Sequence, residues 1–319
     1  MARTRYPRGA AALSIAKLQR APVPSAAEDL EWFRPVEVDL YSDIQVTHDE
    51  PMAAADQRRV RLAYFAGITH VDDQVGRLLD ALVAQDVDEA TVTVLTADHA
   101  QNLGEANMWS MMNLLETSLR VPLMIRPAPS DPALGAGRAL PLYRHPVELL
   151  DLFPTLAALA GLPPPPVEWK LPGSDLSRGM REGAAVKPLN AAYSQITRCV
   201  NCTQAYGTAS AVVRGCVADS VDAAKYLVPC AHTPRSSFDY MGMSVRVSDW
   251  RYSTFCAWDG ASLSADWSRC HGAELYDHRR DTSLYDVDDN GEPFNLAGQA
   301  ATRQVQEQLH ALLRRRFAK

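Results

Sequence analysis

The stretch Thr91-Val-Thr-Val-Leu-Thr-Ala-Asp98-His99 ends by setting a carboxylate beside an imidazole. Four of its first five residues are β-branched, so it reads as a buried strand over 91–97. Asp98 and His99 then fall at the strand's C-terminal end, the edge of an open α/β sheet where ligands bind. A carboxylate and an imidazole there can hold a divalent cation or a phosphate- or sulfate-like anion. The plainer alternative is that Asp98 caps the following turn and His99 satisfies a local hydrogen bond.

The elements that must position this pair are legible on both sides. Val60, Tyr64, Ile68, Val71, Val75, Leu78, Leu79 and Leu82 recur at three or four residues and predict a long helix over 56–85, with Asp56 as N-cap. A polar turn runs from Asp98 through Gly104-Glu105. A second strand follows at 121–126, and Pro122 marks it as an edge or a strand start. Residues 146–161 read as a helix, with Pro146 in the first turn and Gly161 at C′. The Pro163–Pro166 run is a stiff spacer. Short β-like pieces at 244–247, 250–255 and 273–276 predict a small antiparallel sheet. A final helix spans 300–317, its Arg314-Arg-Arg316 complementing the helix dipole.

At 319 residues the chain can bury a large core. A hydrophobic share of 47% and a mean hydropathy of -0.19 are ordinary for a globular protein. A net charge of -6 gives no electrostatic case for nucleic acid. No apolar run reaches the ~20 residues of a membrane span. The longest candidate, 149–162, is broken by Asp151 and Pro154. Residues 1–27 carry Arg3, Arg5, Arg8, Lys17 and Arg20 and no acid. They read either as a transit-type leader or as internal sequence that happens to begin at a Met.

All six cysteines lie between Cys199 and Cys270. An even, clustered set predicts at least two disulfides and an oxidising compartment. The neighbouring β pieces make Cys256 with Cys270 the pairing to expect. Cys199-Val-Asn-Cys202 alternatively reads as half a zinc site or a redox pair. Asn201-Cys202-Thr203 fits a glycosylation sequon. Together these point to the secretory route, lysosomal or extracellular.

Four blocks, in order, carry a family resemblance. The first is Tyr64-Phe65-Ala66 through Val71-Asp72-Asp73-Gln74-Val75-Gly76-Arg77-Leu78-Leu79. The second is Thr96-Ala-Asp98-His99 with Gly104-Glu105 and Arg120-Val-Pro-Leu123. The third is Val147-Glu-Leu-Leu-Asp-Leu-Phe153-Pro154-Thr155-Leu156 with Ala160-Gly161-Leu162. The fourth is Gly272-Ala-Glu274-Leu275-Tyr276-Asp277-His278, then Asp281 and Asn295-Leu296-Ala297. With them the chain resembles the sulfatases of the alkaline-phosphatase superfamily, most of all the iduronate-2-sulfatase branch.

The resemblance implies an alkaline-phosphatase-like α/β sheet flanked by helices, incomplete here, with a smaller C-terminal antiparallel sheet. It divides the chain into an extended segment (1–55), a core portion (56–165), an irregular Cys-rich insert (166–240) and a C-terminal sheet plus helix (241–319). It implies sulfuric ester hydrolysis on a sulfated carbohydrate, and a Ca²⁺ ion with Asp98 and His99 on the metal side. Calcium prefers ~6–8 oxygen ligands, so two residues cannot make its site.

The family's Cys-x-Pro-Ser-Arg motif, whose Cys becomes formylglycine, is absent, as are the paired aspartates near the family's N-terminus. The chain therefore reads as the later portion of a sulfatase, with no catalytic residue of its own to assign and no substrate-binding residue identified. A lysine that grips the sulfate in the family is replaced by Met112 or a neighbour, and Ala100 follows His99 where glycine is usual. Asp72-Asp73 read as a solvated helix patch, since adjacent helical residues point ~100° apart. Glu105 reads equally as a site residue or a surface turn. Met108, Trp109, Met111 and Met112 read as packing. Asp277-His278 reads as structural. Two functions compete: a sulfatase completed by residues beyond this chain, and a non-catalytic pseudo-sulfatase or binding remnant.

Overall fold

The computed structural model describes residues 52–105, 108–132, 134, 143–182, 190–199, 234–279, 292 and 294–318. Helix α1 runs Ala54–Ala84. Its N-cap is Ala53 with no side-chain cap, so Asp56 is not the cap. Asp56 instead sits in the first turn, where its carboxylate faces the positive end of the helix dipole.

Strand β1 is Thr93–Thr96, shorter than the 91–97 expected. Thr91 is drawn into the preceding turn: its amide donates to Asp88 O and its hydroxyl to Val87 O. β1 is half-buried throughout rather than fully buried. Two-residue strands β2 (Asn102–Leu103) and β3 (Trp109–Ser110) close the loop after His99, and helix α2 (Glu116–Leu119) follows. Strand β4 (Leu123–Arg126) pairs antiparallel with β1, Thr93 opposite Arg126 and Thr96 opposite Leu123. Pro122, lacking an N–H, stands just outside the ladder. Among the described residues β1 pairs with β4 alone.

Helix α3 (Leu152–Leu159) is entered through a 3-10 turn at Leu149–Asp151, later than the predicted start at 146. Glu148 and Asp151 form a capping box, which fixes the start at that point. Its end is as expected: Gly161 has φ +68, Leu162 N–H donates to Ala157 O, and Gly161 N–H donates to Ala158 O. This is the Schellman arrangement that favours glycine at C′.

The stretch 166–240 is not irregular throughout. It holds helix α4 (Ser177–Glu182) and strand β5 (Ala192–Cys199). β5 joins β6 (Phe238–Arg246), β7 (Trp250–Asp259) and β8 (Ser264–Asp277) in one antiparallel sheet, in that order. The predicted β pieces thus extend well beyond their apolar kernels, because each gains a ladder partner. Helix α5 (Arg303–Phe317) lays Leu309, Leu312 and Leu313 on Met243, Val245, Tyr252 and Leu275. Val245, Leu275 and Leu313 are wholly shielded from solvent.

Cys256 and Cys270 are partners across β7 and β8 and form a disulfide. Cys202, Cys216 and Cys230, the Cys199 side chain and the sequon lie outside the described residues. No described helix is long and apolar enough to cross a membrane.

Candidate functional site

Asp98 and His99 stand at the C-terminal end of β1, as expected, on a solvent-facing turn. The Asp98 side chain is 86% exposed and that of His99 40%. His99 N–H donates to Asp98 Oδ1 at 3.0 Å, and His99 Nε2 lies 3.6 Å from Asp98 Oδ2. His99 Nδ1 lies 3.0 Å from Ala100 O. The pair therefore makes the local contacts of the plainer reading while leaving both side chains accessible.

The turn is held from behind. Ala100 N–H donates to Ser118 O at 2.8 Å. The fully buried Asn102 donates through Nδ2 to Ser110 O (2.7 Å) and Ser118 Oγ (2.6 Å), and its Oδ1 accepts from the Thr117 hydroxyl. Arg61 of α1 clamps the next loop: its Nε donates to Leu103 O at 2.6 Å, and its guanidinium lies 5.5 Å from the Trp109 ring centroid. Gly104, at φ +105, leaves no space for a Cβ between Arg61 and Trp109. Burial pulls the Arg61 pKa down, against the opposing pull of Glu105. Glu105 is no open surface residue: it turns back to accept Leu103 N–H at 2.6 Å, and burial raises its carboxyl pKa.

Ser118 leads through α2 to a buried ion network. Glu116 Oε2 accepts from Arg251 Nη2 and lies 3.3 Å from Arg246 Nε; its Oε1 is 3.8 Å from Arg120 Nη1. Glu292 Oε1 accepts from Arg251 Nε at 2.6 Å and lies 3.1 Å from His278 Nε2. Its Oε2 accepts from Glu116 N–H at 2.7 Å. Burial alone would raise the Glu116 pKa, but the Arg251 and Arg246 guanidiniums hold it down to about 2. Arg251 is pushed up by Glu292 and Glu116 despite burial. The sequence signal for this cluster was the Asp277-His278 pair. The two side chains part company: His278 is buried against Glu292, and Asp277 pairs with Arg279 at 2.6 Å.

Neither donor set fits calcium. Asp98 and His99 give one carboxylate and one imidazole, far short of ~6–8 oxygens. Glu116, His278 and Glu292 bring donor atoms within 4.8 Å of one another. Arginines already hold both carboxylates there, so a dication would enter a cluster whose negative charge is balanced.

The family model described as Sulfatase matches residues 28–162, which include β1, Asp98, His99 and α3. That stretch is sulfatase-family sequence. Iduronate 2-sulfatase of Mus musculus is 29% identical over 323 residues, covering 90% of this chain and 56% of its own length. The chain thus spans little more than half of that relative. Phosphonate monoester hydrolase from Silicibacter pomeroyi superposes with TM-score 0.57 at 21% identity, over 84% of this chain and 42% of that one. The protein BT4656, solved in complex with its substrate D-glucosamine-2-N,6-O-disulfate, superposes with TM-score 0.51 at 21% identity, over 82% of this chain and 41% of that one. These likenesses establish the sulfatase and alkaline-phosphatase type of fold.

Within the sulfatase-family segment, Asp72 and Asp73 are exposed on α1, as a solvated patch requires. Met108 and Trp109 are core residues. Met112 is half-buried, and its carbonyl accepts from Arg198 Nη2 at 3.2 Å. A cation therefore approaches the methionine loop from β5, a strand the sequence pattern did not reveal.

Proposed function

We propose that this chain is part of a sulfuric ester hydrolase acting on sulfated sugars, of iduronate-2-sulfatase type, made along the secretory route. The observation that carries the reading is the similarity to iduronate 2-sulfatase along 90% of this chain, in which Asp98 and His99 stand exposed at the C-terminal end of β1. The sulfated glucosamine bound by a structural neighbour is in keeping with a sulfated-sugar substrate. Asp98 and His99 are this chain's residues on the metal side of that chemistry. Their exposure leaves them free to meet ligands from elsewhere.

None of the six cysteines is followed by x-Pro-Ser-Arg. Covalent catalysis without its nucleophile loses the step it exists to divide. Residues 1–319 purified alone are therefore inactive on sulfate esters. The test assays this chain, and a longer polypeptide joining it to the unmatched portion of the mouse enzyme, on a sulfated uronic-acid disaccharide in millimolar Ca²⁺. Hydrolysis by the longer protein, lost on Asp98→Ala, supports the reading. Failure of the longer, folded protein on that disaccharide and on an aryl sulfate favours the non-catalytic alternative, to which the loss of the sulfate-gripping lysine near Met112 already lends weight.

A further inference from the structure

The hairpin end of β7 and β8 holds an open cleft of about 470 Å³. A space of that size falls in the range of small-ligand sites. Local chain geometry shapes it. The β7–β8 ladder passes from Cys256 opposite Cys270 directly to Ala257 opposite Asp266, so Trp267, Ser268 and Arg269 bulge out of register. Bulges re-aim the side chains they carry. The Cys256–Cys270 disulfide staples the two strands at the foot of this one. Gly260 sits against Ser236 O with no room for a Cβ, which draws the hairpin tip onto the 3-10 turn Arg235–Ser237.

Two indoles, Trp258 and Trp267, line the cleft. Neither has its nitrogen to offer. Trp258 Nε1 donates to Arg235 O at 2.7 Å, and Trp267 Nε1 is shielded from solvent. What the rings can give a ligand is carbon surface. The polar groups of the lining are Asp259, Asp266 and Arg269. Asp259 accepts from Ala261 N–H and from the Ser262 hydroxyl, which holds its carboxyl below the usual range. Asp266 accepts from Ser268 N–H, the Ser268 hydroxyl and Arg269 Nε, the last at 2.7 Å. The Ser268 hydroxyl and Arg269 hold its carboxyl down to about 2. Both carboxylates are thus fixed anions, and each keeps lone-pair capacity. Arg269 uses only Nε among the described residues, so its Nη donors remain for a ligand.

We propose that this cleft is a binding site for an uncharged saccharide. A sugar ring combines apolar C–H faces with hydroxyls that donate and accept at once. The indole carbons suit the faces. Arg269 Nη donates to one hydroxyl oxygen, and Asp259 or Asp266 accepts the proton of its neighbour. Two carboxylates against one guanidinium leave the lining net negative, which disfavours sulfate and uronate groups. An organic cation would meet the carboxylates and the indoles. It would also meet the Arg269 charge and leave the Nη donors unused, so the saccharide satisfies more of the lining. The cleft lies outside the matched segment 28–162, and the proposal does not rest on the sulfatase reading.

The test titrates residues 1–319 with cellobiose and diacetylchitobiose, read by saturation-transfer NMR, with choline and inorganic sulfate alongside. The expected result is transfer to the ring C–H protons of at least one disaccharide, with millimolar binding. Asp259→Asn and Arg269→Ala, both at exposed positions, should leave the circular dichroism unchanged and weaken binding at least tenfold. Arg178→Ala, exposed on α4, should not. Absence of transfer to both sugars would overturn the proposal. So would binding indifferent to Asp259→Asn and Arg269→Ala, or choline or sulfate bound more tightly than either sugar.

Discussion

Arg251 and Glu116 meet as a buried ion pair although 135 residues separate them. Arg251 is 3% exposed and Glu116 5%. The pair ties α2, which backs the Asp98–His99 turn, to the centre of the C-terminal sheet. Removing one partner leaves the other charge stranded, which typically costs ~3–5 kcal/mol. Arg251→Leu should therefore lower unfolding free energy by about that amount in urea titration. Glu116→Leu added to Arg251→Leu should cost less than the two single changes together. A loss below about 1 kcal/mol for Arg251→Leu would show the network to be dispensable.

The same pair sets an acid limit. The folded-state pKa of Glu116 is depressed from 4.5 to about 2, so its contribution is full above the ordinary carboxylate value and fades as pH falls toward 2. The groups facing it are Arg251, Arg246, Arg120, His278 and the carboxylate of Glu292. The stability gap between the wild-type chain and Glu116→Gln should stay constant from pH 7 to about 5 and shrink below about 4. Thermal unfolding across pH 2–7 reads this directly. A gap that widens on acidification would contradict the ion-pair geometry.

Much of this was written in local pattern. The period of α1, the β-branched run of β1 and the Gly161 stop each follow from short-range spacing, although β1 is shorter and α3 starts later than that spacing predicts. Asp98 and His99 were legible for the same reason, being adjacent and at a strand end. The Glu116–Arg251–Glu292 network was not, because its members come from three distant segments and nothing local marks them as partners. β5 was missed because Tyr193-Ser-Gln-Ile-Thr-Arg198 has only a weak alternation, and its strand state depends on pairing with β6. β1 is shorter than its β-branched run because Thr91 is held in the preceding turn by Asp88 and Val87, contacts that strand propensity does not encode.

The disulfide offers a separate check on compartment. Cys256 and Cys270 are 14 residues apart. Closing a loop of that size stabilises by about 3 kcal/mol in the chain-entropy view. Peptide mapping of protein made through an oxidising secretory route should recover the Cys256–Cys270 cross-link. Cys256→Ala with Cys270→Ala should lower the Tm of the sheet by several degrees. Recovery of both thiols free would remove the structural case for an oxidising compartment.

Asp98 and His99 test how far the metal chemistry reaches into this chain alone. Both are accessible, but one carboxylate and one imidazole are a poor match for a hard cation that wants many oxygens. Residues 1–319 should therefore bind Ca²⁺ no tighter than the millimolar range, and Asp98→Ala should change that little. Its stability effect should also be small, within about 0.5 kcal/mol, because the exposed carboxylate meets only its neighbour His99 among the described residues, through the amide and at 3.6 Å from the ring. In a longer protein that supplies further carboxylates, the same substitution should weaken Ca²⁺ at least tenfold, since each lost oxygen then comes from a filled shell. Calorimetric titration of the two proteins, each with and without Asp98→Ala, separates these cases. Micromolar Ca²⁺ binding by residues 1–319, abolished by Asp98→Ala, would mean that the chain already holds the missing ligands.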